Sequence, residues 1–118
     1  MALEDFALAV SQDGCTALRI EVRGDLDHLT NPRLVSLAAD CLGRCDELVV
    51  DLRDVSSIDA GGLTGLSRVV ELCNGARIGV AVEGHPPLLT RLLEVTGLEL
   101  PGPSGDHARA QPADGARQ

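Results

Sequence analysis

Asp51-Leu-Arg-Asp-Val-Ser-Ser-Ile-Asp-Ala-Gly-Gly-Leu-Thr-Gly-Leu66 decides how this chain folds. Leu48, Val49, Val50 and Leu52 form a near-continuous apolar run at its start. Such a run suits a central strand with a parallel neighbour and helices over at least one face. A short loop follows. Asp59 then opens a helix, since a carboxylate before the first turn can accept one of the unpaired N–H groups there. Ala60, Gly61 and Gly62 are the first helical residues, and Leu63, Leu66, Val70 and Cys73 give the inner stripe. Asn74-Gly75 ends the helix. A strand running into a capped helix indicates an α/β fold.

Working outward, Phe6, Leu8 and Val10 alternate as in a strand, and Ser11-Gln-Asp-Gly14 supplies a turn. Leu18, Ile20 and Val22 then alternate with Arg19, Glu21 and Arg23, giving a second strand with one buried and one wet face. The two read as a hairpin. After Gly24-Asp-Leu-Asp-His-Leu-Thr-Asn-Pro32, a helix capped by Thr30 or Asn31 carries Leu34, Leu37 and Cys41 and ends at Gly43. Ile78, Val80 and Val82 form another strand. Leu88, Leu89, Leu92, Leu93 and Val95 form a third helix, closed by Gly97. Leu98 and Leu100 are candidates for a short last strand. The order is β-β-α-β-α-β-α, a mixed sheet of four to five strands packed against helices. Residues 1–100 make one domain. Residues 101–118 hold three Pro and three Gly and no Val, Ile, Leu or Phe, which predicts a disordered tail.

Composition narrows the function. The chain of 118 residues has one aromatic residue, Phe6, and a net charge of −8. Both argue against nucleic-acid binding, which uses stacking platforms and cationic surfaces. An acidic surface favours a partner with a basic patch. All ten basic residues are arginine, so Schiff-base chemistry and a P-loop lysine are excluded. No signal peptide is visible at the N-terminus. No apolar run approaches the ~18–20 residues needed to span a bilayer. A cytoplasmic protein with no cofactor and no metal is expected. Asp51, Asp54 and Asp59 have no nucleophile or ligand set beside them, so no catalytic site is read.

Two segments resemble the STAS domain of anti-sigma factor antagonists. They are Gly24-Asp-Leu-Asp-His-Leu-Thr30 and Asp51 to Leu66, with a weaker match over Arg91-Leu-Leu-Glu-Val-Thr-Gly-Leu98. The resemblance covers roughly residues 6–100. It implies a binding module that engages an anti-sigma factor, often an ATPase of the histidine-kinase-like type with bound ATP, and so frees a sigma factor in bacterial stress transcription. It places Asp25, Asp27, His28, Asp59, Ala60, Gly61, Gly62 and Thr64 at the partner surface. In the family the residue after the helix-capping Asp is usually a phosphorylated serine. Here it is Ala60, which has no hydroxyl. The resemblance therefore implies constitutive binding, or control by something other than phosphate at this position. Alternatives of the same fold are a scaffold subunit in a stress-signalling or transporter assembly and a small-ligand or nucleotide sensor. The oligomeric state stays open.

Several residues carry two readings. Asp59 is first a helix cap, and a partner contact can coexist with that. Asp27 is either a solvated loop carboxylate or an interface residue, and His28 either an exposed loop residue or a contact. Ser56, Ser57, Thr64 and Ser67 are surface hydroxyls before they are phosphosites. Gly61 and Gly62 each cost ~1 kcal/mol of helix propensity, which points to a docking surface rather than a scaffold need. The four cysteines read as small buried hydrophobes. Cys41 and Cys73 carry a second reading as a redox pair.

Overall fold

The computed structural model describes residues 6–101. Elements follow the order β1 (Ala7–Gln12), β2 (Ala17–Leu26), α1 (Asn31–Cys41), β3 (Glu47–Ile58), α2 (Ala60–Gly75), β4 (Gly79–Glu83) and α3 (Pro87–Thr96). One turn of 3-10 helix, Leu42–Arg44, extends α1 past its expected end. The four strands lie in the order β1-β2-β3-β4. β1 and β2 form the expected antiparallel hairpin, and β2, β3 and β4 run parallel. The α/β fold read from the sequence is the fold observed.

All three helices bury their apolar stripes on one face of the sheet. Leu34, Ala38 and Cys41 of α1, Leu63, Leu66, Val69 and Cys73 of α2, and Leu89 of α3 share one core with Ile20, Val22, Leu48, Val50, Leu52, Val80 and Val82. The core is aliphatic apart from Phe6, which Arg33 covers at 5.0 Å from the ring centre. Val69 rather than Val70 completes the α2 stripe; Val70 is half-buried. Both fit the 3.6-residue period, and the helix is rotated toward Val69.

Two expectations are corrected. β3 has no loop before Asp59: it continues as a strand to Ile58. Its register against β2 slips between Glu21 and Arg23 and again between Gly24 and Asp25, where β3 carries one extra residue each time. These bulges change the spacing of core-facing residues from two to three, so that Leu52, Val55 and Ile58 stay on the core face while Arg53, Asp54, Ser56 and Ser57 are exposed. The short last strand at Leu98 and Leu100 is not formed. The Pro101 carbonyl accepts a single hydrogen bond from Val82 N at 2.8 Å, and proline has no N–H with which to continue a ladder. The predicted tail, apart from Pro101, lies outside the described residues.

Candidate docking site

The site forms where β2 and β3 end and α1 and α2 begin. Asp27 organises the β2–α1 loop. Its Oδ1 accepts from Leu29 N and Thr30 N, both at 3.0 Å. Its own N–H donates to Thr30 Oγ1 at 2.9 Å, and the Thr30 hydroxyl donates to the Asp25 carbonyl at 2.7 Å. This is an Asx-type turn, in which the side chain replaces a backbone acceptor. The bond from the Thr30 amide, chiefly, holds the Asp27 carboxyl below the usual carboxylate range. Asp27 is half-buried and serves the loop's own backbone. Thr30 is the N-cap residue of α1 but makes no side-chain cap bond, because its hydroxyl is committed to the loop.

Asp59 caps α2 as expected, its Oδ1 accepting from Gly62 N at 2.9 Å. The glycines behind it have an internal cause, which corrects the reading from propensity. A Cβ on Gly62 would lie 2.1 Å from the Leu26 carbonyl oxygen, and one on Gly61 would lie 2.7 Å from the His28 backbone. Their lack of side chains lets α2 start directly against the β2–α1 loop. Asn31 fastens the contact by donating from Nδ2 to the Gly61 carbonyl at 2.7 Å. Gly65 lies under the Asn31 side chain, where a Cβ would come within 2.5 Å.

The loop and the helix start thus form one continuous surface. Asp25, His28, Asp59, Ala60 and Thr64 are exposed on it, Gly61 is half-buried and Gly62 buried. Ser57 Oγ donates to Asp25 Oδ1 at 2.8 Å, and Thr64 Oγ1 donates to the Ala60 carbonyl at 3.0 Å. Sequence reasoning missed Leu29, which is 73% exposed at the loop tip. The signal was present, an apolar residue inside a polar loop. It also missed Asn31 and the Ser57–Asp25 bond. Beside the surface, a groove of about 490 Å³ runs between the helices, lined by Asn31, Val35 and Ser36 of α1 and by Thr64, Gly65 and Arg68 of α2.

A second polar centre lies on the sheet face away from the helices. Asp51 is only 4% exposed. It accepts from Arg53 Nη2 at 2.7 Å and from Arg19 Nη1 at 3.0 Å. Arg19 also reaches Glu83 at 3.1 Å and Asp13 at 3.2 Å. The Arg53 hydrogen bonds, above all, hold the Asp51 carboxyl below its ordinary range. This network ties β2, β3 and β4 together.

Of the four cysteines expected to be buried, Cys41 and Cys73 are, Cys45 is half-buried and Cys15 is exposed; burial pushes the Cys73 thiol up to about 11. The thiolate is the reactive form, so this environment suits core packing and disfavours the redox pair.

A family model described as the Mlab-type STAS domain matches residues 8–100. The chain belongs to the STAS-domain family. No curated protein matches it in sequence. Among solved structures, an anti-sigma factor antagonist from Mycobacterium paratuberculosis is 25% identical with a TM-score of 0.69, over 81% of each chain. The unphosphorylated anti-sigma factor antagonist SpoIIAA has 12% identity and a TM-score of 0.62, over 75% of this chain and 82% of that one. A sulfate transporter family protein from Wolinella succinogenes has 20% identity and a TM-score of 0.63, over 74% of this chain and 71% of that one. The last two likenesses show the STAS fold alone. Among the described residues of this STAS domain, no helix is long and apolar enough to cross a membrane.

Proposed function

We propose that this STAS domain is a non-enzymatic anti-sigma factor antagonist that acts in the cytoplasm. It docks on its partner through the Asp25–Thr30 loop and the first turn of α2. The partner is an anti-sigma factor of the ATPase-kinase type with bound ATP, and docking frees a sigma factor for stress transcription. The exposed Leu29, on the same surface as the exposed Asp25, His28, Asp59, Ala60 and Thr64, carries this reading. An apolar centre within a polar rim is the usual composition of a protein interface. The likeness to the mycobacterial antagonist supports the choice of partner class.

Ala60 stands at the exposed first position of α2. A phosphate there would meet free N–H groups and the positive end of the helix dipole, which would hold it well. Without a hydroxyl no phosphate can be attached. The module therefore binds its partner without being released by phosphorylation at residue 60.

Affinity capture on the immobilised chain from a source-cell lysate tests the partner. Recovery of a sigma-regulatory ATPase is expected. Recovery of a membrane transporter subunit would favour the scaffold reading instead, and nucleotide binding by the isolated chain in calorimetry would favour the sensor reading. With that ATPase and labelled ATP, the wild-type chain should stay unlabelled while Ala60→Ser acquires label. Label on Thr64 of the wild type would overturn the absence of phosphate control.

A further inference from the structure

We propose that the groove between α1 and α2 receives an amphipathic helix of the same partner, its apolar stripe in the groove and a basic residue at the end nearest the docking surface. The inference rests on the docking reading above and extends it by naming the element that the partner supplies. The groove opens directly from the docking surface: Asn31 and Thr64 line it at the end where α1 and α2 begin. Both helices run away from that surface, so the groove continues it along the seam between them. From Thr64 to Glu71 the α2 lip spans about 10 Å, or two helical turns.

The chemistry of the occupant follows from what the groove offers. Asn31 Nδ2 donates to the Gly61 carbonyl at 2.7 Å. A carbonyl only accepts, so this bond fixes which end of the amide is the donor. Oδ1 is the remaining end, 3.3 Å from where a Cβ on Gly65 would stand, and Gly65 also lines the groove. No described residue donates to that oxygen. The mouth of the groove thus holds an unused acceptor, and the carboxylates of Asp25 and Asp59 lie on the adjoining surface. A segment entering there must bring donors, which Lys or Arg supplies without an acceptor of its own. Farther along, the groove is apolar and carries no net charge. Val35 is half-buried in it, Arg68 and Glu71 on the α2 lip are opposite in sign, and Pro32 and Ser36 on the α1 lip are uncharged. Both lips are exposed, so the groove is a trough rather than an enclosed pocket. A small ligand is usually buried over most of its surface. A helix laid in a trough buries its apolar stripe and keeps its polar face in water.

Calorimetric titration of the captured ATPase against variants of the full chain tests the proposal. Ser36→Trp fills the groove from its exposed α1 lip and should raise Kd about tenfold or more. Ala39→Trp puts the same bulk on an exposed α1 position outside the groove and should bind as the wild type. Val35→Ser removes the apolar lining and should also weaken binding, which gives a reading even where Ser36→Trp loses its fold by circular dichroism. Benzoylphenylalanine placed at position 36 should cross-link under light to a helical segment of the ATPase with an apolar stripe and Lys or Arg at one end. Wild-type affinity in Ser36→Trp and Val35→Ser, with Leu29→Asp failing to bind, would overturn the groove and leave the docking surface standing. Wild-type affinity in Leu29→Asp as well would overturn the docking reading on which the groove rests. A cross-link to a non-helical segment, or a small molecule that Ser36→Trp displaces from the chain, would overturn the helical occupant.

Discussion

The two acidic centres of this molecule are built in opposite ways. Asp51, on the sheet face away from the helices, is buried and answered by the guanidinium groups of Arg19 and Arg53. Asp25, Asp27 and Asp59, at the ends of β2 and β3, form no ion pair among the described residues. Their partners are backbone amides and a hydroxyl. A charge neutralised within the chain is spent on holding strands together. Carboxylates held only by neutral donors keep their net charge and present it to solvent. The first arrangement is a scaffold. The second is a fixed acidic rim on the surface that carries Leu29, suited to a basic partner surface.

The contrast can be broken by substitution, and the largest effect is expected beneath the rim. Gly62→Ala gains up to ~1 kcal/mol of helix propensity. It also drives a Cβ into the Leu26 carbonyl, a backbone group that cannot swing aside. Overpacking typically costs about 1–3 kcal/mol, and against a fixed carbonyl the loss falls at the upper end of that range, so the clash dominates. Urea unfolding should show the loss, and the rim should lose its shape with it. A Gly62→Ala chain as stable as the wild type would remove the close contact on which the surface depends.

Asp51→Asn comes next. It removes the charge that answers two arginines, and hydrogen bonds to charged groups are worth about 1.5–3 kcal/mol. A loss of about 2 kcal/mol is expected because Arg53 is mostly exposed. The urea midpoint should fall while the Leu29 surface keeps its form. The pH dependence sharpens the same point. Asp27 and Asp51 both titrate below their ordinary range when folded. Their stabilisation is complete above the unfolded value of about 3.9 and is lost as pH falls through the folded values. Acid unfolding should therefore steepen below about pH 4. In Asp51→Asn it should be shallower, since only the Asp27 share remains. An unchanged acid limb would mean that the Asp51 network contributes little. The smallest stability effect is expected for Ala60→Ser, within about 0.5 kcal/mol, as for most exposed positions.

The scaffold was far more legible in the sequence than the rim. Alternation at Leu18, Ile20 and Val22 and the helical stripe from Leu63 to Cys73 report burial directly, because one face of each element meets the core. β3 shows where that reasoning stops. As far as Leu52 its core-facing residues, Leu48, Val50 and Leu52, recur every two positions. From Leu52 to Ile58 the two bulges stretch that spacing to three, and the polar residues between them read as a loop. The rim lies at the end of this irregular half. Asp59 was legible as a cap because capping is a local property. The intrachain role of Gly61 and Gly62 was not, since it depends on His28 and Leu26, more than thirty residues earlier in the chain. Asp51 was hidden for the same reason: its arginine partner at position 19 becomes a neighbour only when β2 and β3 pair.

The most direct measurement is calorimetric titration of the ATPase partner, recovered by affinity capture, against the wild type, Leu29→Asp and Asp51→Asn. Both variants would be titrated at a temperature where circular dichroism shows them folded. A central apolar contact replaced by a charge should cost at least about 2 kcal/mol of binding, or roughly thirtyfold in Kd. Leu29→Asp should show that loss with an unchanged Tm. Asp51→Asn should lower Tm and bind as tightly as the wild type. The reverse pattern, with Leu29→Asp binding normally and Asp51→Asn failing to bind while folded, would contradict the placement of the docking surface at the loop and the start of α2.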